Sequence, residues 1–203
     1  MAVAAAVIMA GTIHGVNISA PAPSLPTEPP KLPKLPKPPE PAPDSNAYWG
    51  PRLWRIFHIL AEYSDRRDIS PLWLNVLRTT SQTLPCSKCR MHLTEYLRTH
   101  TLFRFTPLLQ IKEIQTHIRR DIHTLHNFVN ARNGGSKFDF ELLTPTYGAK
   151  SRPERVYEAQ ILLNELKNAW TPLVHTRIRP AEFTQWKQQI DLLFTLISSG
   201  PQK

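Results

Sequence analysis

The chain reads as an all-α protein, a compact four-helix bundle followed by a helical hairpin. From Trp49 onward its apolar residues recur at helical spacing. No stretch alternates apolar and polar residues as a half-buried strand would. Short polar or proline-bearing joints separate the periodic segments, a pattern that suits antiparallel neighbours in a bundle.

The first helix is expected over Pro51 to Tyr63, with proline tolerated in the first turn, where an N–H would have no partner. The polar run Ser64-Asp65-Arg66-Arg67-Asp68 ends it. Ser70 can cap a second helix, with Pro71 in its first position and Leu72, Trp73, Val76 and Leu77 following. A third begins at Pro85 or Cys86 and carries Cys89, Leu93, Tyr96 and Leu97 on a connected face. In the fourth, Ile111, Ile114, Ile118, Ile122, Leu125 and Val129 form a single stripe, and Gly134-Gly135 stops it. Beyond Tyr147, Ser151-Arg152-Pro153-Glu154 has the form of a capping box. Val156, Ala159, Leu163, Leu166 and Trp170 then make one stripe; after Pro180, Phe183, Trp186, Ile190, Leu193 and Ile197 make another. These two helices read as an antiparallel hairpin whose stripes face each other or the bundle.

Three segments follow from this pattern: 1–46, 47–147 and 148–203. Eleven of the twenty prolines lie between Pro21 and Pro43, which reads as an extended spacer without a core of its own. The apolar run Met1 to Ile13 is too short to span a bilayer and has no Lys or Arg before it, so neither a firm membrane association nor a secretory signal is expected. The formal net charge is +9. The 47–145 stretch holds fourteen basic and eight acidic residues, a balance that suits nucleic acid, an anionic cofactor or an acidic partner equally.

Two cysteines cannot staple a domain, and three residues apart they close only a tiny loop. Cys86-Ser87-Lys88-Cys89 at a helix start is better suited to chemistry. Free N–H groups and the helix dipole stabilise a thiolate there, and Lys88 and Arg90 act in the same direction. By itself the pair leaves redox and zinc open, although only His92 and His100 lie near enough in sequence to complete a metal site. On the fourth helix His123, His126, Asn127 and Asn130 share a face, where a merely solvated flank would more often use Glu, Lys and Gln. Arg132, Gly134, Gly135 and Lys137 follow, cations and flexible backbone able to meet a phosphate. Trp54 and His58 lie one turn apart on the first helix, with Tyr63 beyond.

Trp49-Gly50-Pro51-Arg52-Leu53-Trp54-Arg55-Ile56-Phe57-His58, then Cys86-Ser87-Lys88-Cys89, then His126-Asn127-Phe128-Val129-Asn130 occur in order at suitable distances. Together they resemble the Erv/ALR sulfhydryl oxidase family over about Tyr48 to Tyr147, and most of all the members encoded by large cytoplasmic DNA viruses. The resemblance implies a four-helix bundle with a short fifth helix, binding FAD and forming a homodimer, in a host cytoplasm or virion. It implies that Gly50, Trp54, His58 and Tyr63 line the flavin site and that His126, Asn127 and Asn130 embrace the adenine and ribose end. Arg132 and Lys137 would lie near the phosphates, Cys89 against the isoalloxazine ring, and Cys86 toward incoming thiols. Phe138, Phe140 and Tyr147 are alternatives for the family's last aromatic contact. The chain departs from the pattern in lacking a shuttle cysteine pair and the stapling disulfides.

The activity so implied is thiol oxidation with oxygen as acceptor and hydrogen peroxide as product. With no shuttle pair, the substrate reaches Cys86 directly, a thiol-bearing protein or a small partner with its own Cys-x-x-Cys. The alternatives are a non-catalytic helical assembly module and, behind it, a nucleic-acid binder, for which no recognised motif is present.

Overall fold

The computed structural model describes residues 39–103 and 110–201, so the N-terminal apolar run and residues 21–38 of the proline-rich stretch lie outside the described residues. The all-α expectation holds, with no strand among the described residues. The helices are α1 (Asn46–Glu62), α2 (Ile69–Thr83), α3 (Ser87–Thr99), α4 (Ile111–Arg132), α5 (Arg152–Trp170) and α6 (Pro180–Ser198).

Helix α1 starts earlier than Pro51 because Ser45 caps it, its hydroxyl accepting the Tyr48 N–H at 3.3 Å. Pro51 therefore sits in the second turn, where it removes one bond to the Ala47 carbonyl. At α2 the cap position falls to Asp68, not Ser70. The Asp68 carboxylate is held by Arg66 at 2.8 and 2.9 Å, while the buried Ser70 hydroxyl has no hydrogen-bond partner among the described residues. Helix α4 opens on Gln110, whose N–H donates to Glu113 Oε2 at 2.7 Å. It closes as expected: Gly134 takes a φ of 70° and the Gly135 N–H returns to the Asn130 carbonyl at 2.8 Å. The Ser151/Glu154 capping box of α5 is present. Between α4 and α5, a 3-10 turn (Phe140–Leu142) and a π turn (Thr144–Gly148) stand where a short fifth helix was expected.

Helix α5 packs along α1 and α6 along α2, while α4 crosses α1 and α3 lies on α2. Of the two alternatives for the hairpin stripes, the bundle-facing one dominates, and one cluster of buried residues runs from Trp49 to Ile197. Part of it is an aromatic contact among three tryptophans. Trp170 and Trp186 are fully buried with ring centroids 4.8 Å apart, and Trp49 meets Trp170 edge-on at 6.0 Å. Trp186 Nε1 donates to Thr80 Oγ1 at 3.1 Å, which satisfies the indole inside the α2–α6 contact. Ion pairs Arg52–Glu165 and Arg55–Glu158 border the α1–α5 contact; being partly exposed, they contribute little beside the apolar burial.

Trp186→Ala should therefore cost about 3–5 kcal/mol, read as a lower urea midpoint at unchanged slope. Leu192→Ala on the exposed side of the same helix should shift stability by less than about 0.5 kcal/mol.

Candidate functional site

Cys86 and Cys89 form a disulfide with Cα atoms 5.2 Å apart, within the ordinary range for such a bridge. Leu84 ends α2, Pro85 prevents its continuation, and Cys86 becomes the N-cap of α3, its Sγ accepting the Cys89 N–H at 3.1 Å. The sulfur nearest the helix start thus sits where the orphan N–H groups and the dipole favour negative charge.

Behind the disulfide lies an apolar cavity of about 130 Å³ lined by Cys89, Gly50, Leu53, Trp54, His92 and Val129, among others. Cys86 is not part of its wall. Asn46, in the first turn of α1, donates from Nδ2 to Cys89 Sγ at 3.5 Å. Asn46 was not legible as a site residue, since forty-three positions separate it from Cys89 and only the α1–α3 arrangement joins them.

Next to the cavity, α1 and α4 bring their aromatic residues together. Trp54 stacks on His126 with centroids 4.2 Å apart and planes 13° apart. His58 and His126 share a hydrogen bond, Nε2 to Nδ1, of 2.8 Å. Tyr147 stacks on His58 at 4.9 Å, and Phe138 lies 6.1 Å from His58 and 6.3 Å from His126. Of the three candidate aromatics, Tyr147 is therefore the closest ring to the pair; Phe140 instead meets His123 edge-on. Burial lowers the His58 pKa to about 3, with His126, His123 and Arg119 adding to the effect. His126 is lowered to about 4, by burial and then His123. Both rings are neutral at pH 7, one donating and the other accepting.

The rest of the polar face of α4 is engaged within the chain. Asn127 receives the Phe138 N–H on Oδ1 at 2.8 Å and donates to the Phe138 carbonyl at 3.0 Å. His123 Nε2 meets the same carbonyl at 2.7 Å, and Asn130 donates to Ser136 O at 3.2 Å. These bonds hold residues 136–138 back against the helix and carry the Phe138 ring to the histidines. Arg132 pairs with Glu95 at 2.9 Å and lies over the Phe128 ring. Lys137 lines a separate surface recess with Tyr96, His100, Asn127 and Phe128. Tyr63 is not brought to the cluster: its hydroxyl donates to Lys150 O at 2.7 Å and Arg152 lies over its ring, nine residues beyond Trp54 and on the order of 13 Å along the helix.

A clasp absent from the sequence reading places Tyr147. Buried Glu62 receives Arg119 Nε at 2.6 Å, Arg119 also donates to Thr144 Oγ1 at 2.6 Å, and Arg155 donates to Thr146 O at 2.7 Å. Burial raises the Glu62 pKa and Arg119 opposes the rise. A Cβ on Gly148 would stand 3.0 Å from Glu62 Oε2 and 3.3 Å from Thr144 Cγ2, so a larger residue there would require these side chains to give by a few tenths of an ångström.

Fold and site together make a helical domain with a Cys-x-x-Cys disulfide at a helix start, backed by an apolar, aromatic-walled slot. The chain matches the model of the Erv1 / Alr family over residues 51–148, from Pro51 in α1 to the end of the π turn. This supports an Erv/Alr relationship for the stretch that holds the site, and coarsely an oxidoreductase of the sulfhydryl oxidase kind. Neither a curated protein nor a solved structure matches the chain. Among the described residues no helix is long and apolar enough to cross a membrane, and no group of three or more His, Cys, Asp or Glu could hold a metal.

The neutral histidine pair gives stability a defined pH dependence. Both groups bind protons less readily when folded than at the unfolded value near 6.5, so their contribution is complete above that pH. It is lost as pH falls toward 4 and 3, with a slope of up to about 1.4 kcal/mol per pH unit per histidine. Urea unfolding between pH 7 and pH 4.5 should show this decline, and His58→Phe should flatten it.

Proposed function

We propose that the protein is an FAD-dependent thiol oxidase that introduces disulfides through Cys86 and Cys89. The observation carrying this reading is that one cysteine of a helix-capping pair lines an apolar slot beside stacked aromatic rings while the other does not. The residues fit a flat cofactor with a polar edge. The slot wall is apolar around Gly50 and Trp54, while the buried Nδ1 of His58 and Nε1 of Trp49 have no hydrogen-bond partner among the described residues. Trp54, His58, His126 and Tyr147 would hold the flavin by stacking and hydrogen bonding. Asn127, Asn130, Arg132 and Lys137 would serve its adenine, ribose and phosphate end after exchanging some of their internal bonds, and Tyr63 would close the far end of α1. FAD would supply the acceptor for an electron pair and pass it to oxygen, giving hydrogen peroxide.

The chain's own chemistry is thiol–disulfide exchange. A substrate thiolate attacks Cys86 Sγ, the Cys86–Cys89 bond breaks, and Cys89 leaves as a thiolate facing the Asn46 amide. The second substrate thiol, deprotonated, attacks the mixed disulfide. The substrate leaves oxidised, and Cys86 is released as a thiolate at the α3 N-cap. Two electrons have passed to the cysteine pair and two protons to solvent. The apolar wall around Cys89 keeps water from the reduced pair, and the neutral histidines hold no charge against the slot.

The thiol partner would be a protein or a small Cys-x-x-Cys carrier, and the viral setting in a host cytoplasm or virion belongs to the same reading. A homodimer would use surfaces other than the faces of α1 and α2 already covered by α5 and α6.

The purified protein should be yellow, with a flavin absorption band that bleaches on adding a dithiol without oxygen. Cys86→Ser and Cys89→Ser should each abolish oxygen consumption. A colourless, fully folded protein would sink the reading in favour of a non-catalytic module. Asn46→Ala should weaken Cys89 thiolate stabilisation by about 1 kcal/mol, raising its pKa by nearly one unit, measurable as a shifted pH profile of thiolate absorbance in the Cys86→Ser protein.

A further inference from the structure

A groove of about 680 Å³ runs along the outer side of α3, away from the apolar slot. The end of α2, the exposed face of α3 and the α5–α6 connection form its walls, with Arg90 and Arg98 from α3 and Arg177 and Arg179 from the connection. Two carboxylates line it as well, Glu95 and Glu182. Each is already engaged: Glu95 with Arg132, and Glu182 with Arg179 at 2.5 Å. Arg98 has no ion-pair or hydrogen-bond partner among the described residues. Arg179 is the partner of Glu182 and Arg177 pairs with Asp44 at 3.1 Å, so the charge of the groove not met by a carboxylate comes from Arg90 and Arg98, and Met91, 60% exposed, supplies an apolar contact on its α3 wall.

Its position ties it to the disulfide. Arg90 lies four residues after Cys86, one turn along the same helix face. Its guanidinium donates to Leu84 O at 2.6 Å and to Arg177 O at 3.2 Å, joining the cysteine lead-in to the hairpin. From Cys86 to Arg98 the helix rises about 18 Å, the reach of about five or six extended residues.

We propose that this groove is the docking track for the thiol substrate, a protein segment whose reactive cysteine is flanked by acidic residues. The inference rests on the thiol-oxidase reading of Cys86 and extends it to substrate class. It also assigns the C-terminal hairpin a task, since two of the four arginines come from its loop. A substrate cysteine at Cys86 lays the neighbouring chain along α3, where Asp or Glu side chains meet the arginine forks, which accept carboxylates in bidentate fashion. Among the described residues no aromatic ring lines the groove, so none there offers the stacking platform with which proteins hold single-stranded nucleic acid.

The test uses the full-length, FAD-loaded protein and two peptides containing Cys-x-x-Cys, one flanked by Asp and Glu and the other by Lys. At low ionic strength kcat/KM for the acidic peptide should exceed that for the basic one by roughly tenfold or more, and the gap should close as salt is added. Arg98→Glu combined with Arg179→Glu should abolish or reverse the preference while leaving dithiothreitol oxidation unchanged. Equal rates for the two peptides in the unaltered protein, or a preference that survives the double substitution, overturns the docking proposal. Loss of dithiothreitol oxidation in the unaltered protein falls instead on the oxidase reading. Docking is then read by fluorescence anisotropy of the same peptides with serine in place of cysteine, where binding of the acidic peptide that the double substitution abolishes supports the groove and equal binding of both peptides overturns it. A single-stranded oligonucleotide that displaces the acidic peptide at lower concentration than the peptide itself would reassign the groove to nucleic acid.

Discussion

Helix α1 is packed by α4, by α5 and by the π turn at its end, so that seven successive residues, Ile56 to Glu62, are all buried. A helix covered around its circumference leaves its polar side chains no route to water. His58 and Glu62 fall inside that run, and the surrounding structure is organised by what each requires. His58 stays neutral and shares a hydrogen bond with His126 of α4. Glu62 takes Arg119, also from α4, and through Arg119 the turn that carries Tyr147. Two buried polar groups on one helix thus set the register of α4 against α1 and deliver the aromatic lid to the histidines.

The disulfide stands at the edge of this arrangement, both cysteines half-buried against the core and only Cys89 lining the apolar slot. Cys89 faces the apolar slot and the Asn46 amide; Cys86 caps α3, one turn before Arg90 of the arginine groove. Exchange chemistry needs the outer sulfur accessible to a partner and the inner one shielded from water, and a two-residue spacer on a helix start provides both at once. The electrostatics of the two sides differ accordingly, neutral and aromatic within, cationic without.

Much of the fold was legible because core burial writes itself as period. The α4 stripe from Ile114 to Val129, the Gly134-Gly135 stop and the Ser151/Glu154 box all appear where their local chemistry placed them, while Ile111, at the start of the stripe, stays half-buried outside the core. Helix starts were less legible. The Ser70 cap yielded to Asp68, and Pro51 lies a turn further into α1, because Arg66 and Ser45 outcompeted the local signals. For the site, the Cys pair and the Trp54/His58 and His126 residues could be read as short motifs and do converge. Asn127 and Asn130 share their helix face as expected, but they are occupied with residues 136–138, a partnership no spacing rule announces.

By itself the sequence determined the helical class, the hairpin and a reactive cysteine pair at a helix start, because each follows from contacts within about four residues along the chain. It left open which aromatic closes the site and what the hairpin packs against, and the inward place of Cys89 was implied by the family resemblance alone. Tertiary structure alone decided these. Cys89 turns inward because α1 brings Asn46, Gly50 and Trp54 beneath α3; Tyr147 lands on His58 because buried Glu62 needs Arg119. The hairpin reaches the redox end of the bundle because Trp170 and Trp186 bury themselves against α1 and α2. Each depends on desolvation shared between residues distant in sequence, and that quantity has no local signature.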